Sequence, residues 1–268
     1  MSAQKLSIFL ALTGLLIFAP AAFAGDGVIE INQTAVDAGG ITAGDSAGFP
    51  VTISEAGSYR LTGNLSPGSN TAIEVTASGV TIDLGGFSIT GSGSGSGNGV
   101  ESAISVERVI VKNGHVSQMG ARGLWLFGPG SQALNVQVHD NGSLGIQMGE
   151  HSLVEGCSAR GNGADGILVS GGGIVRASTA DDNGADGITA GDGCVIEGNT
   201  ATSNDGDGIS GMTGCLYKGN ASRFNGVFGL RAIGASGYTQ NVFTSNSSGD
   251  VTGGTQIGEN VCNTGALC

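Results

Sequence analysis

The chain is poor in several things at once. Only 4 of its 268 residues are Pro, and aromatic residues make up 5%. With so little Pro and no Gly-X-Y period, the 52 Gly do not spell a collagen triple helix. Basic side chains are scarce, 10 Lys and Arg against 22 Asp and Glu, for a net charge of −12. A surface that negative repels nucleic acid and anionic membrane, and no local basic patch offsets it, so neither is expected as a partner. Helical apolar spacing is missing throughout, while the frequent Ile, Val and Leu argue against disorder. The five Cys are an odd number, so a monomer, the expected state, keeps at least one free thiol.

The one long apolar run stands at the start. "MSAQKLSIFLALTGLLIFAPAAFA" has a single basic residue, Lys5, a short apolar stretch and small residues at its end. That is the pattern of a secretory signal over residues 1–24. A spanning helix needs on the order of 20 apolar residues, so no membrane insertion is expected once the signal is removed. The mature chain is expected to be secreted or periplasmic. An oxidising compartment would allow a Cys262–Cys268 disulfide within the closing "CNTGALC".

What the sequence does have is a period. "NGADGI" begins at Asn162 and again at Asn183, 21 residues later. Gly-Ile or Gly-Leu pairs open at Gly123, Gly145, Gly166, Gly187, Gly208 and Gly229, and asparagines recur at 141, 162, 183, 204, 225 and 246. A second asparagine column holds Asn199, Asn220 and Asn241, and an apolar one holds Val154, Val175, Ile196, Tyr217 and Tyr238. Self-similarity at this interval signals stacked repeats. Within a period, short apolar–polar alternations such as "GILV" and "GIVRAS" are separated by Gly, Asn, Asp or Ser. Three short strands per turn, each pairing with its copy one turn on, make a parallel β-helix with coils about 4.8 Å apart.

One column tests that register independently. Glu155, Arg176, Glu197 and Lys218 share a phase and alternate in sign, as outward neighbours in a sheet should. Stacked asparagines tolerate turn geometry and can bond one another along the axis. Cys157 falls in the second asparagine phase and is expected to be a buried free thiol. Cys194 and Cys215 stand one period apart; parallel Cβ vectors favour two packed thiols over a disulfide.

The repeat "NGADGILV…GIVRASTADDNGADGI", with "SGVTIDLGGFSITG" upstream, resembles the right-handed parallel β-helix repeats of the pectin-lyase-like superfamily. The stretch "AGFPVTISEAGSYRLTGNL" is similar to the leading segment of secreted bacterial β-helix proteins of unassigned function. The resemblance, over roughly residues 51–251, implies an all-β, single-stranded right-handed parallel β-helix. The expected layout is a signal at 1–24, an N-terminal cap at 25–70, eight or nine coils of about 21 residues at 71–251, and a C-terminal cap at 252–268. Because this fold hosts lyases, hydrolases, epimerases and adhesins, it does not by itself assign a chemistry.

Substrate in the enzymes of that superfamily lies along one strand face and its flanking turns, which points to the turn before each "DGI" strand. There His139, Arg160 and Asp181 share one phase, and Asp140 and Asp182 share the next. These neighbours make His139, Arg160, Asp181 and Asp182 the candidate catalytic group; carboxyls one coil apart would approach the retaining-glycosidase separation of about 5 Å, and carboxyls two coils apart the upper end of the inverting range. "DD" at Asp181–Asp182 matches one polygalacturonase motif, yet "NTD", "GHG" and "RIK" are missing. Trp125, with Arg122 near it, should point outward by alternation from Leu124 and Leu126 and is the candidate sugar contact.

Asp165, Asp186 and Asp207 form an acidic column before the strand-opening glycines. Stacked carboxylates repel unless they bind amides, take protons or share a cation. A carboxylate capping the turn of its own coil is the expected arrangement, and a bound Ca2+ the alternative; no other cofactor is implied. EF-hand spacing and the nine-residue calcium repeat are both missing. "GSGSGSGNG" (91–99) has the composition of a phosphate loop, but a strand pattern rather than a helix follows it. Three functions stay open: a non-catalytic secreted β-helix that is structural or contacts polysaccharide, a divergent lyase, hydrolase or epimerase, and a surface adhesin.

Overall fold

The computed structural model describes residues 27–263. The expected signal at 1–24 and Cys268 lie outside the described residues; Cys262 is buried. The chain winds into a parallel β-solenoid of about ten turns, most of about 21 residues, one or two more than the period counts. The early coils escape the count because their steps are longer: Ile73 pairs with Val100 and Val100 with Leu124, 27 and 24 residues on. The loop 91–99 and the segment 103–108 fill those extra lengths. Stacking also begins upstream, within the segment expected as the cap, where Val28–Ile31 pairs with Ser58–Leu61 and Val51–Ile53 with Ile73–Val75. A short helix, Gln33–Ala38, follows the first strand, its start capped by Asn32 Oδ1 accepting from the Ala35 amide at 3.0 Å. No described helix is long and apolar enough to cross a membrane.

Each coil contributes three short strands, and like strands stack into three faces. Sheet A holds the strands that follow the Gly of "DGI", among them Leu124–Leu126, Ile146–Met148, Ile167–Val169, Ile188–Ala190 and Ile209–Gly211. Each reads buried, outward, buried, because three extended residues can point only two inward. Sheet B holds Leu153–Glu155, Ile174–Arg176, Val195–Glu197 and Leu216–Lys218, with the middle residue inward. Sheet C holds Ser158–Arg160, Thr179–Asp181, Thr200–Thr202 and Ala221–Arg223. Strand hydrogen bonds run to the coils above and below, so no coil is satisfied alone.

Columns of identical chemistry fill the interior. Ile146, Ile167, Ile188, Ile209 and Leu230 stack in register and are fully buried. Asn141, Asn162, Asn183, Asn204, Asn225 and Asn246 form a chain in which each side-chain amide donates to the next Oδ1 at 2.8–3.0 Å. A second chain runs Asn199, Asn220, Asn241, Asn260 at 2.9–3.1 Å. Ser178 and then Cys157 continue that phase upstream, the Cys157 amide donating to Ser178 Oγ and the Ser178 amide to Asn199 Oδ1. Cys157 is a buried free thiol, and burial pushes its pKa up to about 11. Cys194 and Cys215 are both free and buried, the Cys194 amide donating to Cys215 Sγ at 3.4 Å.

Outside sheet B the charge column stands as expected, with Arg176–Glu155 and Lys218–Glu197 pairs at 2.9 Å. It continues further than the period shows. Across Leu134, the same column holds Lys112, Asp83, Arg60 and Glu30 in register, again alternating in sign.

Candidate functional site

Two outward columns share the face of sheet A. One passes through the residues that precede the strand-opening glycines, Arg122, Asp165, Asp186 and Asp207. The other passes through the strand middles, where Glu74, Glu101, Trp125 and Gln147 are paired in succession. Leu124 and Leu126 are buried and Trp125 is half-buried on the outside, as alternation requires. The Arg122 guanidinium lies over the indole, 4.6 Å from the ring centroid, a cation–π contact that also holds the ring in place. A hollow of about 340 Å³ opens beside them, lined by Glu74, Glu101, Ser102, Val106 and Trp125. Four polar atoms at this level of the solenoid are buried without a hydrogen-bond partner: Ser102 Oγ, Arg122 Nε, Trp125 Nε1 and Gln147 Oε1. Glu74 and Glu101 are additions that the 21-residue period does not reveal, because their coils are 27 residues apart. The shared motif of "AIEV" and "GVES" is the signal that finds them.

The acidic column behaves differently from its expected form. Each carboxylate caps the following coil rather than its own. Asp165 Oδ1 accepts from the Asp186 amide at 3.1 Å, Asp186 Oδ1 from the Asp207 amide at 2.7 Å, and Asp207 Oδ1 from the Phe228 amide at 2.9 Å. The cause is the strand-opening register, which sets the next coil's amide over the carboxylate. The outer oxygens are also engaged: Thr189 donates to Asp165 Oδ2 at 2.9 Å, and Arg231 pairs with Asp207. Among the described residues no three His, Cys, Asp or Glu side chains are placed to hold a metal ion. The candidate ligands Asp165, Asp186 and Asp207 spend their oxygens on amides, a hydroxyl and a guanidinium instead. Burial raises the pKa of Asp186, and the like charges of Asp207 and Asp165 add to the rise, against the Asp207 amide and Arg231.

The turn patch assembles largely as the period implies. His139, Arg160 and Asp181 are in register on successive coils of sheet C. Arg160 Nε meets Asp181 Oδ2 at 3.3 Å, with Arg160 65% exposed. His139 Nδ1 pairs with the Asp140 beside it in sequence, at 2.9 Å. A polar hollow of about 380 Å³ is lined by His139, Asp140, Arg160 and Asp182. Asp182 itself has φ 57°, shared by Asp140 at 56° and Ser203 at 57°. It occupies the left-handed turn position that leads into the asparagine column, a conformation Asp tolerates. Asp140 and Asp182 are two coils apart, about 9.6 Å at the strand spacing, with Gly161 between them. The patch therefore holds no stacked carboxylate pair at the retaining separation, and its Asp140–Asp182 spacing lies at the upper edge of the inverting range.

Residues 49–215 and 122–262 match the family described as "Right handed beta helix region". No curated protein matches the chain in sequence. Among solved structures, a mutant of the periplasmic alginate epimerase AlgG superposes with a TM-score of 0.55 at 14% identity, covering 89% of this chain and 83% of that one. The A-module of the mannuronan C-5 epimerase AlgE4 of Azotobacter vinelandii superposes with a TM-score of 0.52 at 16% identity, covering 89% of this chain and 75% of that one. Likeness at such identity is likeness of fold. With the stacked register, the coil length and the family match in agreement, this chain belongs to the right-handed β-helix family.

Proposed function

We propose that this chain is an exported, non-catalytic β-helix that contacts polysaccharide through the sheet A face at Arg122 and Trp125. The observation that carries the reading is the concentration, on neighbouring coils, of one aromatic plane, an open hollow and three buried polar atoms of outward side chains without partners, Arg122 Nε, Trp125 Nε1 and Gln147 Oε1. Buried donors and acceptors left unpaired each cost about 1–3 kcal/mol, and sugar hydroxyls are groups that satisfy both kinds. An indole offers the flat apolar surface on which a sugar ring stacks. Fold relatives that act on alginate and mannuronan support the ligand class. The sheet B charge column is neutralised by its own pairs, and the acidic column is engaged by amides, a hydroxyl and a guanidinium, which fits a scaffold. Retention on immobilised glycans tests the reading: the wild type and Asp182→Asn should be held by the same glycan, and Trp125→Ala released. Equal retention of Trp125→Ala would remove the surface from the proposal.

A second reading, a divergent lyase, hydrolase or epimerase, is favoured by the hollow beside His139, Arg160 and Asp182. On that reading Asp182→Asn abolishes turnover of a glycan while the melting temperature stays nearly unchanged. The structural role favoured above gives no turnover to abolish.

A further inference from the structure

Glu74 and Glu101 break a rule that the rest of the solenoid keeps. They are paired directly on adjacent parallel strands of sheet A, both on the outward face. Like charges directly opposite one another destabilise a sheet. In the sheet B column every neighbouring pair of charges is opposite in sign, as in Arg60–Glu30 at 3.0 Å and Lys112–Asp83 at 3.4 Å. Among the described residues no basic side chain forms an ion pair with Glu74 or Glu101. Glu101 takes a hydrogen bond from the Asn98 side-chain amide, which in turn accepts the Arg122 amide at 2.9 Å. That chain fixes one carboxylate toward the hollow without neutralising it. Further along the same outward column, Trp125 Nε1 and Gln147 Oε1 are buried and have no hydrogen-bond partner.

Resting on the glycan-contact reading above, we propose that this hollow takes a sugar residue bearing a free ammonium group, an unacetylated amino sugar within a polysaccharide. The ammonium sits between Glu74 and Glu101, where it supplies the missing alternate charge through charge-assisted hydrogen bonds. The sugar ring lies against Trp125, an apolar plane held in place by Arg122. The net charge of −12 draws a cationic polymer toward the surface and repels a uronate.

Calorimetric titration with a glucosamine hexamer, its fully N-acetylated counterpart and an oligomannuronate, at a pH where the free amines are protonated, tests this. The free-amine hexamer should bind the wild type about tenfold or more tightly than the acetylated one, the effect of one or two charge-assisted hydrogen bonds. Glu74→Gln and Glu101→Gln should each close most of that gap, while Glu259→Gln, a carboxylate removed elsewhere on the surface, should leave it open. Relief of repulsion should also raise the melting temperature of unliganded Glu74→Gln. Equal affinity for the two hexamers, stronger binding of the uronate, or an equal effect of Glu259→Gln would each overturn the amino-sugar assignment while leaving glycan contact intact. No binding of any of the three, with Trp125→Ala indistinguishable from wild type, would overturn the reading beneath it as well.

Discussion

Gly211 shows how finely the lumen is filled at the scale of single residues. A Cβ placed there would lie 2.1 Å from the Tyr217 hydroxyl. The column it belongs to shrinks along the axis, Val169, Ala190, Gly211, while the sheet B column grows, Val175, Ile196, Tyr217. Volume is conserved per coil, as a close-packed interior demands. Gly211→Ala should therefore cost about 1–3 kcal/mol, and adding Tyr217→Phe should recover most of it; chemical denaturation of the single and double variants reads both. Asp186 gives a residue-scale test of a different kind. Its pKa is raised in the folded state, so the folded protein holds the proton more tightly than the unfolded one. Stability from this group is then greatest at low pH and falls as pH rises from the ordinary carboxylate value of 3.8 through the raised one. Asp186→Asn keeps an oxygen for the Asp207 amide and removes the like charge. It should melt higher than wild type at neutral pH and lose that advantage on acidification through the same window.

At the scale of elements, the asparagine column is the part of the turn that cannot be replaced piecemeal. Asn204 Oδ1 accepts the Asn183 backbone and side-chain amides at 3.1 and 2.9 Å, and its own amide donates to the Ala180 carbonyl and to Asn225 Oδ1. Asn204→Ala strands groups on both neighbouring coils and should cost at least about 2 kcal/mol, seen as a loss of cooperative unfolding around that coil in hydrogen exchange. Elements of this kind were legible in advance because fixed spacing reports phase directly: Ile188 over Ile209, Arg176 between Glu155 and Glu197, and Trp125 outward between two leucines all follow from counting. Spacing says nothing about which coil a side chain leans toward, so the capping direction of Asp165, Asp186 and Asp207 was not legible. Nor were Glu74 and Glu101, or the run Glu30, Arg60, Asp83, Lys112, because inserted loops change the step between those coils while leaving the stacking intact.

Over the whole molecule, one surface stands apart. Sheet B carries charges that cancel along its column, sheet C carries a turn patch in which His139 pairs with Asp140 and Arg160 with Asp181, and sheet A carries an aromatic plane, unpaired polar atoms and two stacked carboxylates at its N-terminal end. A solenoid tolerates such a local departure because each coil answers only to its neighbours. Trp125 is the single tryptophan in the chain, so emission excited beyond the absorption of the three tyrosines reports on that surface alone. The most direct measurement is to titrate neutral, acidic and amine-bearing oligosaccharides, with and without calcium, while following Trp125 emission and the mass and sugar composition of each glycan. Saturable change in emission with at least one glycan, no dependence on calcium and no change in the glycan is the expected result. A shortened or epimerised glycan, made by the wild type and not by Asp182→Asn, with Trp125 emission unmoved, would show that the turn patch, not the sheet A face, is the working site.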